Sequence, residues 1–386
     1  MTEGSKVEAN EKKQSEKKYR LHDMGPWQKR RLFGSIAAVV LVFGIFLIAT
    51  CCQLYQDKVA EDAYWNQYLQ EVSPELQEKV EEFSGDATHV ETAVYLEQVR
   101  AVDIKNSQFE VVLQVGYRWE GDPELDFATN ETVHFYKGKI NGLTLLDEYH
   151  EGSTNYQLIR YDVVINKQFW TPRFPLESHQ LRIYLEPSEN VNSIVLVAAA
   201  DESYTNPNLG ITGYQLTRFD VAQAVIAYDD PLLNPAFDEY GDNSSVYKTE
   251  VMAQLEINRE GIGLFIKCFI ALYGTTAWIL LCLYICTFRR VDPLGMIGAA
   301  FFGSVSNIMV GANLVPDALQ MGLLEYGNLF GVGIIIAGTS VVISINAIRK
   351  EHGNEAFAQF YGRVMLALFV VLVVVGNLAL PLSSML

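Results

Sequence analysis

The chain has 386 residues, is 49% apolar and 19% charged, and carries a net charge of −17. A protein this acidic repels phosphate, which excludes nucleic acid as a natural partner, and at this length it can bury a sizeable core beyond any membrane spans. The charge is uneven, with residues 1–33 summing to +4, residues 56–260 to −22 and residues 261–386 to +1.

Residues 1–31 are rich in Lys, Glu and Gln, have no apolar period, and read as a disordered tail. An uncharged apolar run at 32–55 is long enough to span a bilayer. Its basic leader is long for a signal peptide, so the run reads as an uncleaved anchor. Ile48-Ala49-Thr50-Cys51 is only a loose match to a lipoprotein cleavage site. Basic residues before a span mark the cytoplasmic side, which puts the acidic stretch that follows outside, where it attracts cations.

Residues 56–86 read as a helical linker. Val59, Ala63, Tyr64, Tyr68 and Val72 recur near a 3.6 period, and Leu76, Val80 and Phe83 continue it after Pro74, which predicts two short helices broken at Ser73-Pro74. From 87 to 259 the pattern is that of strands. Residues 109–119 and 179–186 alternate with period two, 193–200 is a continuous apolar run, and 156–169, 213–228 and 246–259 add further strands. Gly121-Asp122-Pro123, Asn141-Gly142, Pro207-Asn208 and Gly241-Asp242-Asn243 read as turns between them, so the region is an antiparallel sandwich or barrel.

Four apolar spans crowd into 260–386, at 263–288, 293–315, 326–348 and 360–382. The first link carries Arg289 and Arg290 and the third carries Arg349 and Lys350, so both are expected in the cytoplasm; the link at Pro316-Asp317 has no base and is expected outside.

All five cysteines lie in or beside spans, leaving the strand region without a disulfide framework or a Cys-type zinc site. His89, His134, His150 and His179 show no metal-ligand spacing, and no nucleophile or phosphate-loop motif appears, so an enzyme is not expected. Asp229, Asp230, Asp238 and Glu239 cluster acidic oxygens that suit Ca²⁺ as a modulator, the one cofactor the chain suggests, though such runs also serve as solvated loops.

Several segments, in order, resemble the bacterial pentameric ligand-gated ion channels of the Cys-loop receptor superfamily. VYLEQVRAVDIKNSQFEVVLQVGYRW (94–119) resembles the first two strands, and WTPRFPLESHQLRIYLE (170–186) the signature loop. INREGIGLFIKCFIALY (257–273) resembles the entry to the first pore-domain span, and GAAFFGSVSNIMVGANLVP (298–316) the pore helix. Leu176 and Glu177 replace the Phe-Asp of the signature, its flanking cysteines are missing, and the span at 32–55 with the helices at 56–86 are additions.

The resemblance implies an all-β immunoglobulin-like sandwich ectodomain, a four-helix transmembrane pore domain, and a homopentamer in the bacterial inner membrane. It implies a small ligand, a proton or an ion as agonist, with identical subunits and lipid as partners. By motif it maps Asp103, Glu177 and Arg259 onto the charged cluster that couples ligand binding to the pore, with Pro316 beside it; a plain structural ion pair is the competing reading. The pore face becomes Leu294, Gly298, Phe301, Val305, Ile308 and Ala312, where a ring of Phe301 would gate by dewetting, with Phe302 as its rival. Asp292 and Arg290 fall at the inner mouth, where Asp292 favours cations and the arginine opposes it; with the acidic sandwich the balance falls to cations. Tyr117, Tyr136, Tyr204 and Tyr228 are the aromatic ligand candidates. A non-conducting receptor or scaffold on the same fold is the alternative, since the pore helix is unusually apolar.

Overall fold

The computed structural model describes residues 21–67, 74–228, 246–315 and 321–386. Helix α1 (Pro26–Gln67) opens on a proline, which suits a first helical position where no N–H is needed. It is unbroken, so the boundary expected at 55 falls inside one helix, and its first residues lie in the segment expected to be tail. At 1.5 Å per residue it is roughly 60 Å long, about twice the thickness of a bilayer core. Helix α2 (Pro74–Phe83) starts at the expected break and lays Val80 and Phe83 against Val191, Val195 and Tyr247.

Ten strands follow among the described residues: β1 (Thr88–Asp103), β2 (Gln108–Glu120), β3 (Val133–Phe135), β4 (Gly138–Glu151), β5 (Thr154–Asn166), β6 (Ser178–Pro187), β7 (Ile194–Ala198), β8 (Tyr204–Thr205), β9 (Tyr214–Tyr228) and β10 (Val246–Arg259). One sheet runs β4-β5-β2-β1-β7 with β8 also on β1, and the other runs β3-β6-β10-β9. β7 and β8 pair parallel to β1; the remaining pairs are antiparallel. Period-two alternation turns Val111, Val115, Ile159 and Val163 of the first sheet, and Leu181, Ile183, Leu255 and Ile257 of the second, into a shared interior. Phe135 and Tyr161 meet across it at 5.2 Å, and Leu196 N donates to Thr249 Oγ1 at 2.7 Å. The body is β-sandwich-like.

Asn141-Gly142, expected as a turn, is instead a bulge inside β4, where the register slips between Ile140 and Gly142. The chain reverses at Gly152, whose φ of +64° suits a residue without a side chain. β4 is an edge strand, and Leu145, Leu146 and Tyr149 on it are all 40% or more exposed.

The C-terminal helices are α3 (Gly263–Tyr284), which ends in a π-helical turn (Ile285–Arg289), α4 (Leu294–Leu314), α5 (Leu323–His352) and α6 (Glu355–Met385). Small residues bring them together: a Cβ on Gly331 or Gly338 of α5 would sit 2.4 Å from Leu272 or Ile279 of α3. Asn307 Nδ2 of α4 donates to Asn328 Oδ1 of α5 at 2.6 Å, joining two buried amides. α1 joins this unit through Phe43, 5.9 Å from Phe330, and through Ser35, which accepts from Tyr361 OH at 2.9 Å. α1, α3, α4, α5 and α6 are each long and apolar enough to cross a membrane, consistent with a membrane protein. The chain divides into two compact units, one holding these helices with α1 up to Lys58, the other holding the strands.

Candidate functional site

Two of the three residues expected to form a charged cluster meet inside the strand unit. Arg259 Nε, at the end of β10, donates to Glu177 Oε1 at 2.9 Å. The Glu177 side chain is fully buried and the Arg259 side chain 17% exposed. The guanidinium lies 4.1 Å from the Tyr214 ring centre and 5.6 Å from that of Phe174, so the cation is stacked as well as paired. His179 Nε2 stands 3.6 Å from Glu177 Oε1, a close electrostatic neighbour beyond hydrogen-bond length. Burial alone would raise the Glu177 carboxyl; the His179 imidazole and the Arg259 charge overcome it and hold the group below the usual carboxylate range. Asp103, the third expected member, instead accepts from Asn106 N at 2.9 Å and from Asn106 Nδ2 at 2.7 Å, and closes the β1–β2 turn. Those bonds lower its pKa. Pro316 lies outside the described residues.

The four aromatic candidates separate. Tyr117 is wholly buried: its ring stacks on Phe127 at 4.2 Å and its hydroxyl meets that of Tyr161 at 3.1 Å. Its surroundings are those of a core residue. Tyr204 is 61% exposed and borders a groove of about 500 Å³ on the outer face of β1, β2 and β5. Arg118 sits in that groove, with Nε donating to Glu91 at 2.6 Å and Nη2 to Glu202 at 3.2 Å, while Tyr95 and Tyr156 add aromatic surface. One cation, two carboxylates and three phenol rings around an open groove suit a small polar ligand with an aromatic or cationic part.

Tyr228 and Tyr136 belong to the other sheet. Tyr228 OH donates to Glu186, 3.0 Å from each carboxylate oxygen, and Tyr136 packs edge-on to Tyr184. Glu186 is 1% exposed; Lys248 Nζ approaches it to 3.3 Å and His134 Nε2 to 3.4 Å. Burial works against its ionisation, yet the His134 imidazole, Lys248 and the Tyr228 hydroxyl keep its pKa low. Glu250 beside it is pushed up to about 7, by burial first and by the Glu186 carboxylate second. A carboxyl whose folded pKa is raised stabilises the fold most below its unfolded pKa, and that contribution disappears as pH rises through the folded value. The wild type should therefore lose thermal stability as pH rises from the ordinary value of 4.5 through about 7, and level off above that, relative to Glu250→Gln. Parallel melting curves of the two proteins across that range check this; equal slopes would contradict it.

On α4, Leu294, Gly298, Phe301, Val305, Ile308 and Ala312 are all exposed, while Ile297, Ala300, Ser304, Asn307 and Gly311 form the buried stripe. Phe302 is also uncovered, at 74% against 50% for Phe301. In the link between α3 and α4, Arg290 Nε lies 3.3 Å from Glu355, and Asp292 Oδ1 accepts from Leu294 N at 3.2 Å at the start of α4. Asp229, Asp230, Asp238 and Glu239 fall outside the described residues; among the described ones, no His, Cys, Asp or Glu cluster is arranged to hold a metal.

Sequence reasoning missed Arg118 and Glu91, which alternation places on outward positions of their strands, and Glu202, which ends a short 3-10 turn; it also missed the Glu186–Glu250 pair, whose members come from neighbouring strands. No protein-family model and no curated protein matches this chain.

Proposed function

We propose that the chain is a subunit of a homopentameric ligand-gated ion channel in the bacterial inner membrane. In this reading the N-terminus is cytoplasmic, the sandwich is an immunoglobulin-like ectodomain on the outer side, and the pore carries cations. The observation that carries the reading is α4. A helix flanked by two membrane-capable helices buries only one stripe and leaves the rest open, including the hydroxyl-bearing Ser306. Lipid tails do not satisfy a hydroxyl, so that position calls for a water-filled lumen or another chain. Exposed leucines on the edge strand β4 likewise call for a neighbouring copy. The Glu177–Arg259 pair supports a coupling role, because β10 continues into α3 after only three residues, Glu260–Ile262.

The groove around Arg118 and Tyr204 is the ligand site this reading favours. Tyr204→Ala should abolish the ligand response while leaving stability within about 0.5 kcal/mol, since the side chain is exposed. A melting curve beside a dose–response curve checks it, and an unchanged response would move the ligand elsewhere. A non-conducting receptor on the same fold is the second reading, favoured because the face from Leu294 to Ala312 carries no charge or hydroxyl. Native mass measurement in detergent tests the assembly: five copies support both readings, and a monomer removes them, leaving an anchored binding protein.

A further inference from the structure

The stretch 167–177 between β5 and β6 is held from outside the sheets. Its backbone bonds are the local turns Phe174 N to Thr171 O at 2.9 Å and Leu176 N to Arg173 O at 2.7 Å, plus Lys167 N to Ser107 O at 2.8 Å. Phe169 packs on His179 and Phe174 under Arg259, and a further deep contact is an ion pair to α1. Arg173 Nη1 donates to Glu61 Oε2 of α1 at 2.6 Å, and the two side chains are only 6% and 2% exposed. The partners are 112 residues apart in sequence. Arg173 Nη2 also reaches Leu176 O at 3.3 Å, so one guanidinium grips both α1 and the turn. The next residue is Glu177, the acceptor for Arg259. Glu61, Arg173, Leu176, Glu177 and Arg259 thus form an unbroken succession of hydrogen bonds and chain neighbours.

We propose that the end of α1 is a positioning strut, in which Glu61 sets the conformation of 167–177 through Arg173 and so aims Glu177 at Arg259. A buried ion pair is a poor source of stability compared with apolar side chains of the same size, because desolvation offsets its attraction. What it supplies is direction. The planar guanidinium fixes where the loop stands relative to the helix, whereas an apolar contact would let the two slide. Glu61 lies near the end of α1, in the same compact unit as the strands and the loop it grips. The assignment goes beyond the channel reading and does not depend on conduction, because it concerns the fold of one loop.

Hydrogen exchange read by mass spectrometry on the full-length protein tests it, using wild type, Glu61→Gln and Arg173→Gln. The expected result is exchange at least about tenfold faster in peptides covering 170–179 and 256–260, with peptides from β2 and β5 unchanged. Should a single variant fail to fold, Glu61→Met/Arg173→Met removes both charges of the pair and is expected to show the same local acceleration. Unchanged exchange over 170–179, or equal acceleration throughout the strand unit, overturns the proposal. In the first case the loop needs no strut; in the second the pair serves stability alone.

Discussion

Arg259→Gln is expected to destabilise the strand unit by about 3–5 kcal/mol, because it leaves the fully buried Glu177 carboxylate without its cation. His179 is a weaker counterion than the guanidinium, since burial holds that imidazole below its ordinary pKa. The stacking on Tyr214 is lost as well. Arg259→Lys keeps the charge but not the planar group, and should cost much less. Melting of the purified variants checks both, and an Arg259→Gln protein as stable as wild type would contradict the account. The Lys variant also separates the two roles considered for the pair. A stable Lys variant with a lost ligand response would indicate coupling, whereas a response that follows stability would indicate a plain structural ion pair.

Tyr117→Ala should also destabilise by about 3–5 kcal/mol, the cost of emptying a large aromatic site in a packed interior. Two contacts disappear together: the stack on Phe127 and the hydroxyl pair with Tyr161. Tyr117→Phe keeps the ring and loses one hydrogen bond, for about 1 kcal/mol. The pair of variants distinguishes a core residue from a ligand contact. Equilibrium unfolding should rank wild type, Phe and Ala in that order, and the Phe variant should retain its ligand response. Loss of the response in a stable Phe variant would return Tyr117 to the ligand site.

The placement of Tyr117 was legible in the sequence. Period two along β2 sets it on the same face as Phe109, Val115 and Trp119, all buried, and the outward partner in that pattern is Arg118. Matching by family resemblance favoured the aromatic ring over this parity. The strand β4 gave no comparable signal, because both of its faces are largely exposed and alternation needs one buried face. Asn141-Gly142 misled for a related reason: the dipeptide favours a tight turn, but pairing of β4 with β5 on both sides absorbs it as a bulge. The helices α3 to α6 were readable because a span must be a continuous apolar run. Helix α1 was divided at the point where its composition turns polar, although the helical period does not stop there. The Glu61–Arg173 pair had no local signature at all, since it joins residues brought together only by the tertiary fold.

The most direct test of the central claim is ion flux through the purified, mass-verified oligomer in liposomes, under a salt gradient and across a series of pH and Ca²⁺ concentrations. The account predicts a gated current with a cation reversal potential, and a larger leak when Phe301→Ala removes the proposed dry ring. Increased leak from Phe302→Ala alone would keep the channel and shift the register of its pore helix. Silence from the wild type and from both variants would contradict conduction and leave the non-conducting receptor as the reading of this fold.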